Sequence, residues 1–259
     1  MSGFVRGFTL VELITVMMIL GILSLGTVKF IGDSSQGFAS TISRSELATD
    51  ARFVVERLAR DVRDALPNSV RVSGGCLEFV PVVGASSYTT LPVTSAAISF
   101  LSVPVDPLPL PAGARAAVFP DLNVYALGSP ATVSPTVALS APDAGNEVTV
   151  TMAAAHRFGS ESPSNRYFLV TDPVSYCVDN ARVWRYSGYG FVAAQPGPGG
   201  LPAAMPGRAL VTQNVTTLAP FTLADATLSR NAVVGIDLEF TRGGDAVRIE
   251  HMVQIRNVP

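Results

Sequence analysis

The feature that most constrains this chain is an apolar run close to its N-terminus. From Phe8 to Val28 the only charged residue is Glu12, and the next charge is Lys29. A helix of this length extends about 31 Å, which matches the roughly 30 Å hydrocarbon core of a bilayer. A secretory signal has a shorter apolar run followed by a small-residue cleavage site, and this segment fits that pattern poorly. The run therefore predicts one transmembrane helix over residues 8–30.

Glu12 is the unusual residue of this span. A carboxylate near the centre of a bilayer costs about 2.5–3.5 kcal/mol on insertion scales, and it costs less near the interface. No basic residue inside the span can pair with it. Two interpretations stay open at this point: Glu12 lies shallow and reaches the headgroups, or it pairs with a cation from outside the span.

The composition of the whole chain narrows the classes of protein. Apolar residues make up 48% of the 259 positions, and 18 Lys and Arg nearly balance 20 Asp and Glu. A disordered chain would be less apolar and more highly charged, and a nucleic-acid-binding domain would carry a basic face. Two cysteines are too few for a four-cysteine zinc site or a disulfide framework. We therefore expect a folded domain that does not bind nucleic acid.

The segment after the apolar run, residues 31–66, has helical periodicity. Its apolar residues recur mostly three and four positions apart, which predicts an amphipathic stalk helix that ends before Pro67. These residues are Phe38, Ile42, Leu47, Ala51, Val54, Val55, Leu58, Val62 and Leu66. The charged residues of the other face form possible i, i+4 pairs: Glu56 with Arg60, Arg57 with Asp61, and Arg60 with Asp64. We interpret them as a solvated face.

Beyond Pro67 the periodicity becomes that of strands, so residues 67–259 are expected to form a β-rich globular head. Arg242-Gly-Gly-Asp245 is a tight hairpin signal, and the proline-rich stretches 104–120 and 195–207 indicate irregular loops. The predicted fold class is α+β, with a long N-terminal helix packed on an antiparallel β-sheet head. The predicted strands are 69–72, 76–80, 97–101, 147–152, 167–171, 176–178, 182–186, 210–216, 233–241 and 246–255.

The sequence carries none of the common catalytic or cofactor-binding motifs that we sought. His156 and His251 lie in or beside predicted strands, where a structural role is the ordinary one. Asp143, Asn146 and Glu147 offer oxygen ligands for calcium, but their spacing is not that of an EF-hand loop. We therefore expect no enzymatic activity, no cofactor, no bound metal and no small-molecule substrate.

Gly7 followed by Phe-Thr-Leu-Val-Glu-Leu resembles the class III signal of type IV prepilins and type II secretion pseudopilins. The resemblance implies that residues 1–7 are a leader peptide, which a prepilin peptidase cleaves between Gly7 and Phe8. It also implies N-methylation of the new Phe8 amine. In an assembling filament, Glu12 would then pair with the positively charged Phe8 nitrogen of a neighbouring subunit. The partners implied are thus the prepilin peptidase and other major and minor pilins or pseudopilins.

The same resemblance implies a location. The protein would be a single-pass protein of the bacterial inner membrane with its head in the periplasm, and it would later enter a pilus or pseudopilus. In that oxidising compartment Cys76 and Cys177 are expected to form one disulfide. The alternative is two separate buried thiols that act as small apolar groups. The usual pilin disulfide near the C-terminus is not possible here, which departs from the pattern of major pilins.

Within this superfamily, the sequence from Arg57 to Val70, followed by Cys76-Leu-Glu-Phe-Val, resembles large minor pilins of the PilW or MshO type. The function implied is that of a minor pilin-like structural subunit in type IV, MSHA-like pilus assembly, in the priming or tip complex. A J-type pseudopilin of a type II secretion system is the near alternative. An alternative of another class is a single-span, membrane-anchored binding protein.

Overall fold

The computed structural model of the chain describes residues 9–105, 109–120, 124–224 and 232–255. The predicted cleavage residues Gly7 and Phe8 lie outside these ranges. Helix α1 spans Leu10–Arg63. The strands that follow are β1 (Arg71–Ser73), β2 (Cys76–Phe79), β3 (Val82–Ser87), β4 (Ala97–Ser102), β5 (Arg115–Val118), β6 (Val133–Leu139), β7 (Val148–His156), β8 (Arg166–Val170), β9 (Val174–Asp179), β10 (Arg182–Tyr186), β11 (Arg208–Gln213), β12 (Phe221–Ala224), β13 (Val233–Arg242) and β14 (Asp245–Gln254).

Helix α1 is continuous over 54 residues, which corresponds to about 81 Å. Its N-cap is Thr9, whose hydroxyl oxygen accepts a hydrogen bond from the Glu12 backbone N–H at 3.3 Å. Arg60 and Arg63 in the last turn complement the partial negative charge at the C-terminal end of the helix. The four glycines of the apolar and stalk segments do not interrupt the helix, so both segments form one rod.

The strands form three sheets, and every pairing between them is antiparallel. One sheet has the order β1-β2-β9-β10-β11, a second β12-β13-β14, and a third β3-β8-β5-β6-β7-β4. The α+β fold class is therefore confirmed. The expectation of a single sheet is wrong, because six strands form a separate layer with a core of its own.

The main core lies between the second half of α1 and the first two sheets. The helix contributes a stripe of buried residues: Leu47, Ala51, Val54, Val55, Leu58, Ala59 and Val62. Fully burying a Val or Leu side chain contributes about 1.5–3 kcal/mol, so this stripe anchors the helix firmly to the head. The first half of α1 projects beyond the head, and its apolar side chains are exposed from Leu10 to Phe38.

Strands β3, β5, β6 and β12 were not predicted from sequence. Strand β5 lies within the stretch 104–120, which was predicted to be an irregular loop, so that prediction is wrong there. Its residues Ala116 and Ala117 are fully buried between β6 and β8. Short strands rich in Ala, Ser and Gly are held by their neighbours in the sheet, and their own side chains carry little strand signal.

The charged residues of α1 pair differently from the sequence prediction. None of the three i, i+4 pairs forms an ion pair within the ranges that the structure describes. Asp61 instead accepts a hydrogen bond from the buried Tyr176 hydroxyl at 2.5 Å and lies 4.0 Å from Arg185 Nε. The partners of Asp61 thus belong to β9 and β10, and they tie the upper stalk to the five-stranded sheet. The pKa of the Tyr176 hydroxyl is raised, mainly because the side chain is buried and also because it donates to the negatively charged Asp61 carboxylate.

The lower stalk is tied to the turn between β13 and β14. Asp245 accepts hydrogen bonds from Arg44 Nε at 2.8 Å and from the Ser40 hydroxyl at 3.0 Å. Arg242, at the other side of the same turn, donates to Glu46 at 3.0 Å. These contacts fix the orientation of the hairpin along α1.

We expect the Asp245 contact to weaken in acid. The hydrogen bond from Arg44 is the main reason that the pKa of the Asp245 carboxyl lies below its ordinary value of 3.8. A carboxyl with a lowered pKa stabilises the fold above its unfolded pKa, and this contribution is lost as the pH falls through the folded pKa. The stability difference between wild type and Asp245→Asn should therefore be full near neutral pH, begin to shrink as the pH falls to about 4, and disappear only below the lowered pKa of the folded state.

Urea unfolding of the detergent-solubilised protein at several pH values measures this difference. Asp33→Asn is the matched control, because Asp33 is exposed on α1 and its side chain has no partner among the described residues. A wild-type advantage over Asp245→Asn that is the same at all pH values would contradict the assignment.

Candidate functional site

The first candidate site is the exposed apolar half of α1 with Glu12 in its first turn. By length and composition, α1 is able to cross a membrane, and its apolar stretch is wholly exposed in the isolated chain. The Glu12 side chain is exposed as well, and it forms no ion pair within the described ranges. A carboxylate near a helix N-terminus is favoured by the helix dipole, but this does not replace a counter-ion in an apolar medium.

The other polar side chains between Glu12 and Thr27 are satisfied within the helix. Thr15 donates to the Glu12 carbonyl oxygen at 2.9 Å, Ser24 to that of Leu20 at 2.7 Å, and Thr27 to that of Leu23 at 2.8 Å. Such bonds to the preceding turn let hydroxyl groups lie in an apolar medium without another partner. Of the polar side chains from Glu12 to Thr27, only the Glu12 carboxylate therefore still requires a partner from outside the helix.

The second candidate site is the disulfide. Cys76 on β2 lies directly opposite Cys177 on β9, and the two form a disulfide across 101 residues of sequence. This is the arrangement favoured from sequence. Both residues are fully buried and pack with Tyr186 and Leu201. The bond links the start of the head to its middle, so it closes a long loop of the unfolded chain.

Sequence reasoning missed a buried ion pair beside this disulfide. Glu78 is fully buried on β2, and its carboxylate accepts hydrogen bonds from Arg71 Nε at 2.7 Å and from the Tyr189 hydroxyl at 3.0 Å. Arg71 also donates to the carbonyl oxygens of Val192 and Ala193. A buried pair with further hydrogen bonds is compatible with a fold, whereas an unpaired buried carboxylate is not. The pair therefore holds the segment after β10 against the five-stranded sheet.

A signal for this pair is present in the sequence. Glu78 stands in the short run Cys-Leu-Glu-Phe, whose other members are apolar. In a strand buried on both faces, every position is enclosed, so a charged residue there requires a partner on a neighbouring strand. Arg71 is that residue, since it lies directly opposite Glu78 in the β1–β2 register.

The structure gives His156 and Asp143 local roles. His156 is fully buried, its Nε2 atom lies 3.2 Å from the Ala131 carbonyl oxygen, and burial lowers its pKa. Asp143 accepts hydrogen bonds from the backbone N–H groups of Gly145 and Glu147, which closes its own turn. Among the described residues, no three His, Cys, Asp or Glu side chains come close enough together to hold a metal ion.

Comparison with known proteins adds one finding. Residues 4–28 match the family described as the prokaryotic N-terminal methylation motif. No curated protein and no solved structure is significantly similar to the chain. The matched residues contain Gly7, Phe8 and Glu12 and continue into the exposed half of α1. The motif and the apolar helix α1 support a type IV pilin-like or pseudopilin-like protein with an N-terminal membrane anchor, and the motif implies processing by a prepilin peptidase and assembly with other pilins.

Proposed function

We propose that the protein is a minor pilin-like structural subunit that takes part in assembly of a type IV, MSHA-like pilus, in its priming or tip complex. The observation that carries the proposal is the methylation motif, which runs into an exposed apolar helix whose Glu12 carboxylate has no ion pair among the described residues. Exposed apolar surface of this extent is stable only in lipid or against other helices. A subunit that moves from membrane to filament meets both conditions.

The proposed sequence of events starts from a precursor held in the inner membrane by residues 8–30. A prepilin peptidase removes residues 1–7, and the new Phe8 amine is methylated. The stalk, residues 31–66, and the head, residues 67–259, lie in the periplasm. During assembly the Glu12 carboxylate pairs with the Phe8 nitrogen of a neighbouring subunit, so that neither charge is buried in the filament without a counter-ion.

The size of the head favours a minor subunit. The head contains about 190 residues after Pro67 and three sheets. A subunit that repeats densely along a fibre has little room for a head of this breadth, whereas a subunit at one end of the fibre has no such restriction. The PilW or MshO resemblance of the segment after Arg57 agrees with this position.

The mass of the N-terminus of the native protein tests the proposal. We expect the mature chain to lack seven residues, to begin at Phe8 and to carry the added mass of one methyl group. A native protein that still begins at Met1 would contradict a filament role and would favour a membrane-anchored binding protein. Mass spectrometry of the sister subunits that co-purify then distinguishes a pilus from a type II secretion fibre.

A further inference from the structure

A groove runs between the upper stalk and the free edge of the three-stranded sheet. It has a volume of about 370 Å³. Its floor is apolar and consists of Val55 and Ala59 from α1 and Ile249 from β14. We call it the α1–β14 groove.

The rim of the α1–β14 groove is basic. Three arginines of α1 line it, namely Arg52, Arg60 and Arg63, together with one carboxylate, Glu56. In the part of the chain that the structure describes, none of the three guanidinium groups has an ion pair or a side-chain hydrogen bond. Arg52 and Arg63 are 11 positions apart on the helix, which is about 16 Å. The groove therefore presents a row of unpaired positive charge above an apolar floor.

The edge of β14 beside this groove is unpaired. Strand β14 is the last strand of its sheet, and within the described ranges its outer edge forms no hydrogen bond. The two-residue loop of the hairpin makes Arg242 and Asp245 a hydrogen-bonded pair. The backbone N–H and C=O groups of every second residue from Asp245 onward therefore point toward β13. Ile255 agrees with this alternation, since its N–H donates to Ala232 next to β13. The backbone groups that face outward therefore belong to Ala246, Arg248, Glu250, Met252 and Gln254.

Strand β14 and helix α1 run in the same direction. Asp245, at the start of β14, contacts Ser40 and Arg44, whereas Ile249 and His251 line the groove with the arginines higher on the helix. A strand added to this edge would consequently lie along the upper stalk. Every second side chain of such a strand would face α1 and its arginines.

We propose that the α1–β14 groove binds an extended, acidic segment of a partner protein, which adds as a further strand to the edge of β14. A polypeptide strand supplies backbone donors and acceptors at every second residue, which is the spacing that the free edge requires. An isolated anion does not satisfy such a row. Carboxylates on the inner face of the segment match the three unpaired arginines, because guanidinium groups bind carboxylates with two parallel hydrogen bonds. This inference holds for a filament subunit and for an anchored binding protein alike.

Fluorescence anisotropy of a labelled peptide tests the proposal on the full mature chain in detergent micelles. The probe is a ten-residue peptide of alternating Thr and Glu, which as a strand places every carboxylate on one face. One control peptide replaces each Glu with Lys. A second control keeps the sequence but carries an N-methyl group on every backbone nitrogen, which leaves the charge and removes the donors of both edges. We expect the first peptide to bind and both controls to fail.

Two protein variants separate the two parts of the site. Arg52→Gln, Arg60→Gln and Arg63→Gln combined should weaken binding about tenfold or more, since three exposed ion pairs are lost together. Arg182→Gln is the matched control, because Arg182 is exposed and its side chain has no partner among the described residues. Met252→Pro removes one outward N–H without breaking a bond to β13, so it should also weaken binding. Met252→Val is its control.

Each outcome decides the proposal. Selective loss of binding in both variants, each with a wild-type circular dichroism spectrum, supports strand addition. Absence of binding to the wild type at about 1 mM peptide would overturn the proposal. Equal binding of the N-methylated peptide, or complete displacement by inorganic phosphate, would identify a simple anion site and would also overturn it. Self-association through the same edge, measured by sedimentation and abolished by Met252→Pro, would replace the partner by a second copy of the chain.

Discussion

Replacement of Glu12 by Gln is expected to lower incorporation of the protein into filaments about tenfold or more. The variant keeps the shape of the side chain but removes the charge that would pair with a neighbouring Phe8 amine. The methylated amine would then enter the filament without a counter-ion, and an unpaired buried charge is strongly unfavourable. The level of the protein in the membrane should not fall, because a neutral side chain enters the bilayer at lower cost. Sheared filaments and membranes are compared by immunoblot.

Asp33→Asn is the matched control for this experiment. Asp33 is an exposed carboxylate on α1 beyond the apolar run, and like Glu12 its side chain has no ion pair within the described ranges. Incorporation of this variant should equal that of the wild type. The N-terminal mass of both variants shows whether the leader was removed. Wild-type incorporation of Glu12→Gln, with normal processing, would refute the proposed pairing.

Removal of the disulfide is expected to destabilise the head by about 4–5 kcal/mol. The expectation follows from the 101 residues that separate Cys76 from Cys177, since the cross-link restricts a long loop of the unfolded chain. The variant Cys76→Ala with Cys177→Ala keeps small apolar side chains at two fully buried positions. Its midpoint of urea unfolding should fall by about 1.3–2.5 M for a slope of about 2–3 kcal/mol/M.

The reduced wild-type protein is the control for this change. Its midpoint should move toward that of the double alanine variant when a reductant is present, while the variant itself should not respond. The hydrogen bond from Tyr176 to Asp61 should remain, because neighbouring residues of a strand face opposite sides, and Tyr176 packs in the main core whereas Cys177 packs with Tyr186 and Leu201. An oxidised wild type with the same midpoint as the variant would contradict a stabilising disulfide.

Local patterns in the sequence were sufficient for the helix and for the last hairpin. The stripe from Leu47 to Val62 repeats with the period of a helix, and Pro67 lies close to the observed C-terminal end of α1. Strands β13 and β14 alternate over ten residues each around a Gly-Gly loop. Each of these features is set by residues a few positions apart, so the sequence displays it directly.

The sequence also determined the chemistry of the N-terminus. A single carboxylate in a long apolar run requires a partner wherever the helix lies, and this follows from the cost of an unpaired charge. The structure adds that Thr15, Ser24 and Thr27 satisfy themselves within the helix, which leaves Glu12 as the exception.

The tertiary structure alone decided how the head is divided and which charges are paired. Three sheets replace the expected one because strands such as β3 and β8 pair across about 80 residues, and no local period records such a pairing. The same holds for side chains. Asp61 accepts a hydrogen bond from Tyr176 and does not pair with Arg57, because the five-stranded sheet brings Tyr176 against α1. Arg71 pairs with Glu78, because the β1–β2 register places them opposite each other. Arg52, Arg60 and Arg63 have no ion pair among the residues that the structure describes, and only the packing of β14 beside them forms a groove.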